Sequence, residues 1–216
     1  MAGGHLLVLV GPAGAGKTTL AHRSIARSPE DRGFSVSHTT RPIRSTETDG
    51  VDYWFVDRAT FEALRDQDGF AEWAEVHGNL YGTSRNEIKR LHDQGRDVLF
   101  DIDIVGATNL WRQYPQETRL IFVLPPSWQV LVSRLQGRGS ETEATLRRRL
   151  RTARTELQGL IASPAPWHVI SNDDLGAAVV ALEPLYAQAV PPATAVADQP
   201  GVQAFLREAL ADPRTA

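Results

Sequence analysis

The chain has 216 residues, 42% of them hydrophobic and 23% charged, with 23 Lys and Arg against 26 Asp and Glu for a net charge of −3. That is enough apolar material for one domain with a sizeable core, and no global positive field argues for a nucleic-acid partner. Cysteine is absent, which excludes disulfides and thiolate zinc sites, and no apolar run approaches the ~18–20 residues of a membrane span.

In chain order, Leu6–Val10 is a continuously apolar run of strand length that leads straight into a Gly-rich loop. No basic segment with a cleavable apolar stretch precedes it, so a cytoplasmic protein is the expectation. A helix is expected from Thr18 onward. Residues 34–82 carry β-like pieces at 34–39, 52–56 and 71–76 around one short helix at 59–68, and read as a small β-rich insertion. Ser84 and Glu87 form a possible capping box, with Gly95 as the stop. Apolar runs at 97–102, 119–124 and 167–170 again have strand length, as expected of a parallel sheet covered on both faces. Ser127 can cap a helix ending near Gly137. Ser140 and Glu143 form a second box ahead of Leu146, Leu150, Ala153 and Leu157, which share one helix face. From Pro191 the chain is rich in Ala and Pro, with a helical pattern only at 202–210. The alternation predicts an α/β fold on a parallel sheet. The six His residues show no metal-ligand spacing and read as surface or core residues.

The strongest local signal is Gly11-Pro12-Ala13-Gly14-Ala15-Gly16-Lys17-Thr18, which fits G-x-x-x-x-G-K-[ST] between a strand and a helix. Its glycines let the backbone curl so that N–H groups point at phosphate oxygens. Lys17 can reach the β- and γ-phosphates, and the Thr18 hydroxyl can ligate Mg²⁺. The following helix N-terminus favours an anion. Gly11, Ala13, Gly14, Ala15, Gly16, Lys17, Thr18 and Thr19 are therefore the candidate cradle for a nucleoside triphosphate, ATP in the reading below. Asp101 and Asp103 follow the apolar residues Val98–Phe100 and alternate, so both can face the crevice at the C-terminal end of a parallel strand. Asp101 is expected near the metal, with Asp103 farther along the crevice.

Ser37-His38-Thr39-Thr40-Arg41-Pro42-Ile43-Arg44, Asp52-Tyr53, Glu72-Trp73 and Gly78-Asn79-Leu80-Tyr81-Gly82-Thr83 follow in order. With the phosphate loop, Asp101-Ile102-Asp103, the 137–143 segment and Ser171-Asn172-Asp173-Asp174, they resemble the guanylate kinase family from about Leu6 to about Tyr186. The resemblance implies a P-loop nucleoside monophosphate kinase fold, with a parallel-sheet core, a β-rich GMP-binding insertion and a helical lid. It implies Mg²⁺-dependent phosphoryl transfer from ATP to GMP. Arg41, Arg44, Tyr53 and Tyr81 are then the GMP-phosphate set; arginine's planar fork suits such an anion. Glu72 accepts from guanine N1–H and the 2-amino group, Ser37 and Thr83 donate to O6, and Asp101 and Asp103 complete the GMP site. Arg134, Arg138, Asn172 and Asp173 join the ATP site. Lys17, Arg44, Arg138 and Arg149 are the catalytic set, and Thr18 and Asp101 the metal set.

The resemblance divides residues 1–190 into a core (1–36, 84–125, 167–190), a GMP region (37–83) and a lid (126–166), leaving 191–216 as a tail. The partners expected are ATP and GMP, with no nucleic acid and no membrane, in a monomer or homodimer. Residues 134–154 hold seven arginines and two glutamates, a local balance of +5 suited to a lid over a triphosphate. Three departures from the family pattern stand out: Ala13 in place of serine, Pro42-Ile43 before Arg44, and Val105 where glutamine is common. Another acceptor on the same scaffold and a non-catalytic interaction module are the alternative readings.

Overall fold

The computed structural model describes residues 4–76, 78–137, 142–187 and 195–215. Strand β1 (Leu6–Val10) leads through the Gly-rich loop into helix α1 (Lys17–Arg27) and then β2 (Arg32–Phe34). A small β region follows: β3 (His38–Thr39), β4 (Trp54–Phe55), α2 (Arg58–Asp66), β5 (Phe70–Val76) and β6 (Asn79–Ser84). The chain returns through α3 (Arg85–Asp93), β7 (Asp97–Asp101), α4 (Ile104–Gln113) and β8 (Thr118–Leu124). It continues with α5 (Trp128–Gln136), α6 (Glu143–Ala162), β9 (Trp167–Ser171), α7 (Leu175–Ala187) and α8 (Pro200–Ala211).

The main sheet has the order β2-β7-β1-β8-β9, every pair parallel. All of β1 and β8 is buried, which is why these segments read as unbroken apolar runs. Alternation splits β1 between two cores. Leu6, Val8 and Val10 pack with Leu146, Leu150, Ala153 and Leu157 of α6 on one face. Leu7 and Leu9 pack with Leu20 of α1 and Leu182 of α7 on the other. The chain runs from β1 through α1 to β2 on one side of β1 and crosses from β7 through α4 to β8 on the other, so the C-terminal ends of β1 and β7 open a crevice. The β region forms its own sheet, β4-β3-β6-β5, over a small core of Phe61, Phe70 and Leu80.

Several expectations are refined. The 34–39 stretch is two pieces: β2 ends at Phe34 in the main sheet, and β3 starts at His38 in the small one. Its signal is hidden because β2 begins with a buried Arg32, whose guanidinium is neutralised by Glu183 at 2.5 Å. The strand β6 and the helix α4 were not anticipated. Ser84 caps α3 by accepting from the Glu87 amide at 3.1 Å, but the Glu87 carboxylate turns to Arg90 instead of closing the box. Helix α6 is capped by Thr142, which accepts from the Thr145 amide, because the helix begins at Glu143; Ser140 lies outside the described residues.

The part of the tail described here, 195–215, is packed. Val202, Phe205 and Ala209 of α8 belong to the larger core. The Phe205 ring meets Trp128 edge-on at 5.5 Å, and the Trp128 indole N–H donates to Asp212 at 2.7 Å. Arg154 of α6 donates to the Thr215 carbonyl at 3.2 Å. Phe205 is 2% exposed, so Phe205→Ala is expected to cost roughly 3–5 kcal/mol by loss of burial and cavity formation. A thermal melt should fall by on the order of 10 °C. A fall of less than about 2 °C would show that α8 is not part of the cooperative unit. No described helix is long and apolar enough to cross a membrane.

Candidate nucleotide-binding active site

The loop between β1 and α1 curls through positive φ at Gly11, Gly14 and Gly16. At Gly16 a Cβ would also run into the Asn172 amide, which donates to the Ala15 carbonyl at 2.8 Å and so ties the loop to the end of β9. No side chain caps the first turn of α1, which leaves its N–H groups for an anion. Lys17 folds back so that Nζ donates to the Gly11 carbonyl at 2.7 Å and lies 3.6 Å from Asp101. The Thr18 hydroxyl donates to Asp101 Oδ2 at 2.6 Å. Arg134 reaches in from α5 to the carbonyls of Gly14 (3.4 Å) and Asn172 (3.2 Å). Asp173 is exposed beside Asn172.

Opposite the loop, Arg41 lies 5.5 Å from the ring centres of Tyr53 and Phe55 and grips Glu47 with both terminal nitrogens, at 3.0 and 2.8 Å. Glu47 also accepts from the Arg44 amide at 2.9 Å and meets the Arg44 guanidinium at 3.5 Å. Burial would raise the Glu47 carboxyl, but the Arg41 fork and the Arg44 amide together hold it below the usual range. The Arg44 side chain is 64% exposed, so it is anchored only through this turn. Tyr53 and Tyr81 pack edge to face at 5.9 Å. Burial, then the charge of Asp101, push the Tyr53 phenol up to about 12, which keeps it a proton donor at neutral pH.

A cleft of about 440 Å³ joins the two regions. Ala13, Gly14, Gly16, Lys17, Thr18 and Thr19 line one side, and Arg41, Arg44, Tyr53 and Tyr81 the other, with Asp101 between. A smaller cavity of about 250 Å³ shares Lys17, Ser37, Tyr53, Tyr81 and Asp101 and extends to Glu72, Asp103 and Glu156. Glu72 is buried and accepts from the Thr83 hydroxyl at 2.7 Å. Burial pushes its carboxyl up to about 7 against that hydrogen bond, and the charge of Asp103 adds to the rise. Gly106 makes room for it: a Cβ there would collide with Glu72 Oε2. Asp103 lines this cavity but commits Oδ1 to the amides of Val105 and Gly106, capping α4.

The crevice thus brings together Gly11, Ala13, Gly14, Gly16, Lys17, Thr18, Thr19, Ser37, Arg41, Arg44, Tyr53, Glu72, Tyr81, Asp101 and Asp103, whereas the Ala15 side chain is buried in the core and lines neither cavity. Thr83 enters through Glu72. Arg149 is half-buried on α6 and lines neither cavity. Arg138 lies outside the described residues. Three contributors went unpredicted. Glu47 was findable as a carboxylate three residues after Arg44, in reach of two cations. Gly106 carries no signal without Glu72 in place. Glu156 was signalled only as an acid beside the apolar stripe of α6.

The geometry is matched by comparison with known proteins. The family model for guanylate kinase matches residues 3–189. The guanylate kinase of Oleidesulfovibrio alaskensis is 52% identical over 155 residues, 72% of this chain and 74% of its own. That of Nitratidesulfovibrio vulgaris is 49% identical over 183 residues, 85% of this chain and 86% of its own. A crystal structure of guanylate kinase from Anaplasma phagocytophilum superposes with a TM-score of 0.67 at 29% identity, covering 100% of this chain and 98% of that one. A parallel-sheet core with a Gly-rich phosphate loop at its centre, together with these matches, establishes that the chain belongs to the guanylate kinase family.

Proposed function

We propose that this chain transfers the γ-phosphoryl group of ATP to the phosphate of GMP, giving ADP and GDP. The observation that carries the reading is the shared cleft, with an amide cradle around Lys17 on one wall and Arg41, Arg44, Tyr53 and Tyr81 on the other. In this reading the loop amides from Gly11 to Thr19 hold the triphosphate, and Arg134, Arg138, Asn172 and Asp173 complete the ATP side. Arg41, Arg44, Tyr53 and Tyr81 hold the GMP phosphate. Glu72 accepts from guanine N1–H and the 2-amino group, with Ser37 and Thr83 beside it. Adenine has an unprotonated nitrogen where guanine has N1–H, which would leave Glu72 buried against a second acceptor.

The Thr18 hydroxyl and the Asp101 carboxylate are hard oxygen donors at the triphosphate end, the chemistry that Mg²⁺ takes. These two residues would hold it, and it would supply charge neutralisation at the triphosphate. The protein's own groups do the rest by placement. The attacking GMP oxygen is already anionic, so no general base is required. Alignment, Lys17 and the arginines lower the barrier. Residues 37–83 form the GMP region and 126–166 the lid, whose closure excludes water. The enzyme works in the cytoplasm.

A coupled ADP-release assay with ATP and Mg²⁺, offering GMP, AMP, UMP, CMP and ribose phosphates separately, tests this reading. Turnover is expected with GMP, and a preference for any other acceptor overturns it. Arg44→Ala and Arg149→Ala are each expected to lower kcat by about 10²–10³-fold. The melting temperature of the Arg44 variant should hold, because that side chain is mostly in solvent. A kcat within threefold of wild type removes the residue from the mechanism.

A further inference from the structure

Glu156 is the one α6 side chain among the described residues lining the smaller cavity. Its Oε2 is enclosed and has no hydrogen-bond partner among the described residues. A buried carboxylate oxygen left without a donor costs free energy, so its retention beside a ligand cavity points to a donor that arrives with the ligand. The other carboxylates around that cavity, Glu72, Asp101 and Asp103, only accept when ionised, and Lys17 is engaged by Gly11 and Asp101. No three His, Asp or Glu side chains among the described residues converge closely enough to hold a metal ion, so a hydrogen-bond donor fits better than a cation.

The donors of a bound GMP can be allotted in turn. The guanine N–H groups go to Glu72. The phosphate has none and is met by Arg41, Arg44 and the tyrosines. Only the ribose hydroxyls remain. We propose that Glu156 is a further binding residue of the acceptor nucleotide, taking a hydrogen bond from a ribose hydroxyl and so setting sugar preference from the lid side. This rests on the GMP reading above.

The test is steady-state kinetics of wild type, Glu156→Leu and Glu156→Gln with GMP, 2′-deoxyGMP and 3′-deoxyGMP at saturating ATP. Leucine keeps the bulk and removes the acceptor; glutamine removes the charge and keeps one acceptor oxygen. Wild type should prefer GMP over one deoxy analogue by about tenfold or more in kcat/KM, as loss of a bond to a charged group predicts. In Glu156→Leu that preference should shrink to within twofold, through a higher KM for GMP and an unchanged KM for ATP. Glu156→Gln should fall between, and it decides the matter alone if the leucine variant does not fold. An unaltered preference in the variants, an equal loss on all three substrates, or a wild type blind to both hydroxyls overturns the proposal. Absence of turnover with all three substrates in wild type instead sinks the GMP reading itself.

Discussion

Lys17→Met is expected to lower kcat by about 10³-fold while leaving GMP binding and the fold in place. The methionine retains most of the apolar stem and removes only the ammonium. In the free protein that ammonium satisfies the Gly11 carbonyl and sits between the loop and Asp101. Its loss removes a charged hydrogen bond, on the order of 1.5–3 kcal/mol, and a 3.6 Å ion pair with Asp101 from a structure with ample core. The kinetic loss is larger because charge on the transferring phosphoryl group is neutralised in a dry, pre-organised site, where a fixed cation is worth far more than in water. The GMP cradle is built from other elements, so the dissociation constant of GMP measured by calorimetry should change by less than threefold. Near-wild-type kcat in the variant would mean that the loop binds phosphate without serving its transfer.

How much of this was legible beforehand depended on whether a signal was local. The strand Leu6–Val10, the Gly-rich loop and the caps Ser84 and Ser127 are written in adjacent residues, and each stands where expected. The α6 stripe at Leu146, Leu150, Ala153 and Leu157 is buried on one face. The strand β2 was obscured because its buried arginine is compensated by Glu183, 151 residues away. The helix α4 opens with Asp103 as its cap, a role that competed with the ligand reading of the same carboxylate. At the site, residue types and order gave the two cradles, but not the partner that holds Arg41 and Arg44 before any substrate arrives. Glu47 does so, and its role is visible only once the turn between them is folded.

The last expectation turns on Glu72, where stability and specificity pull in opposite directions. Burial raises its carboxyl from an ordinary 4.5 to about 7 in the free protein. A carboxyl raised by folding contributes stability that is present below about pH 4.5 and lost as pH rises through about 7. Glu72→Gln removes that loss. At pH 8 the variant should be more stable than wild type by an amount approaching the linkage limit of roughly 3 kcal/mol, and its melting temperature should rise by several degrees. At pH 4, below the ordinary value of the carboxyl, the two should melt together. Catalysis should move the other way. The amide presents an NH₂ where guanine presents N–H donors, so kcat/KM for GMP should fall by about 10²–10⁴-fold. The wild-type rise of kcat/KM through neutral pH should also flatten in the variant, because the ionising group that accepts from guanine is gone. Titration of the GMP phosphate is common to both proteins and cancels in their ratio. A variant that lost activity without gaining stability at high pH would show that Glu72 is a packing residue of the β region. A variant that gained stability and kept its activity would assign guanine recognition to another group on the cavity wall.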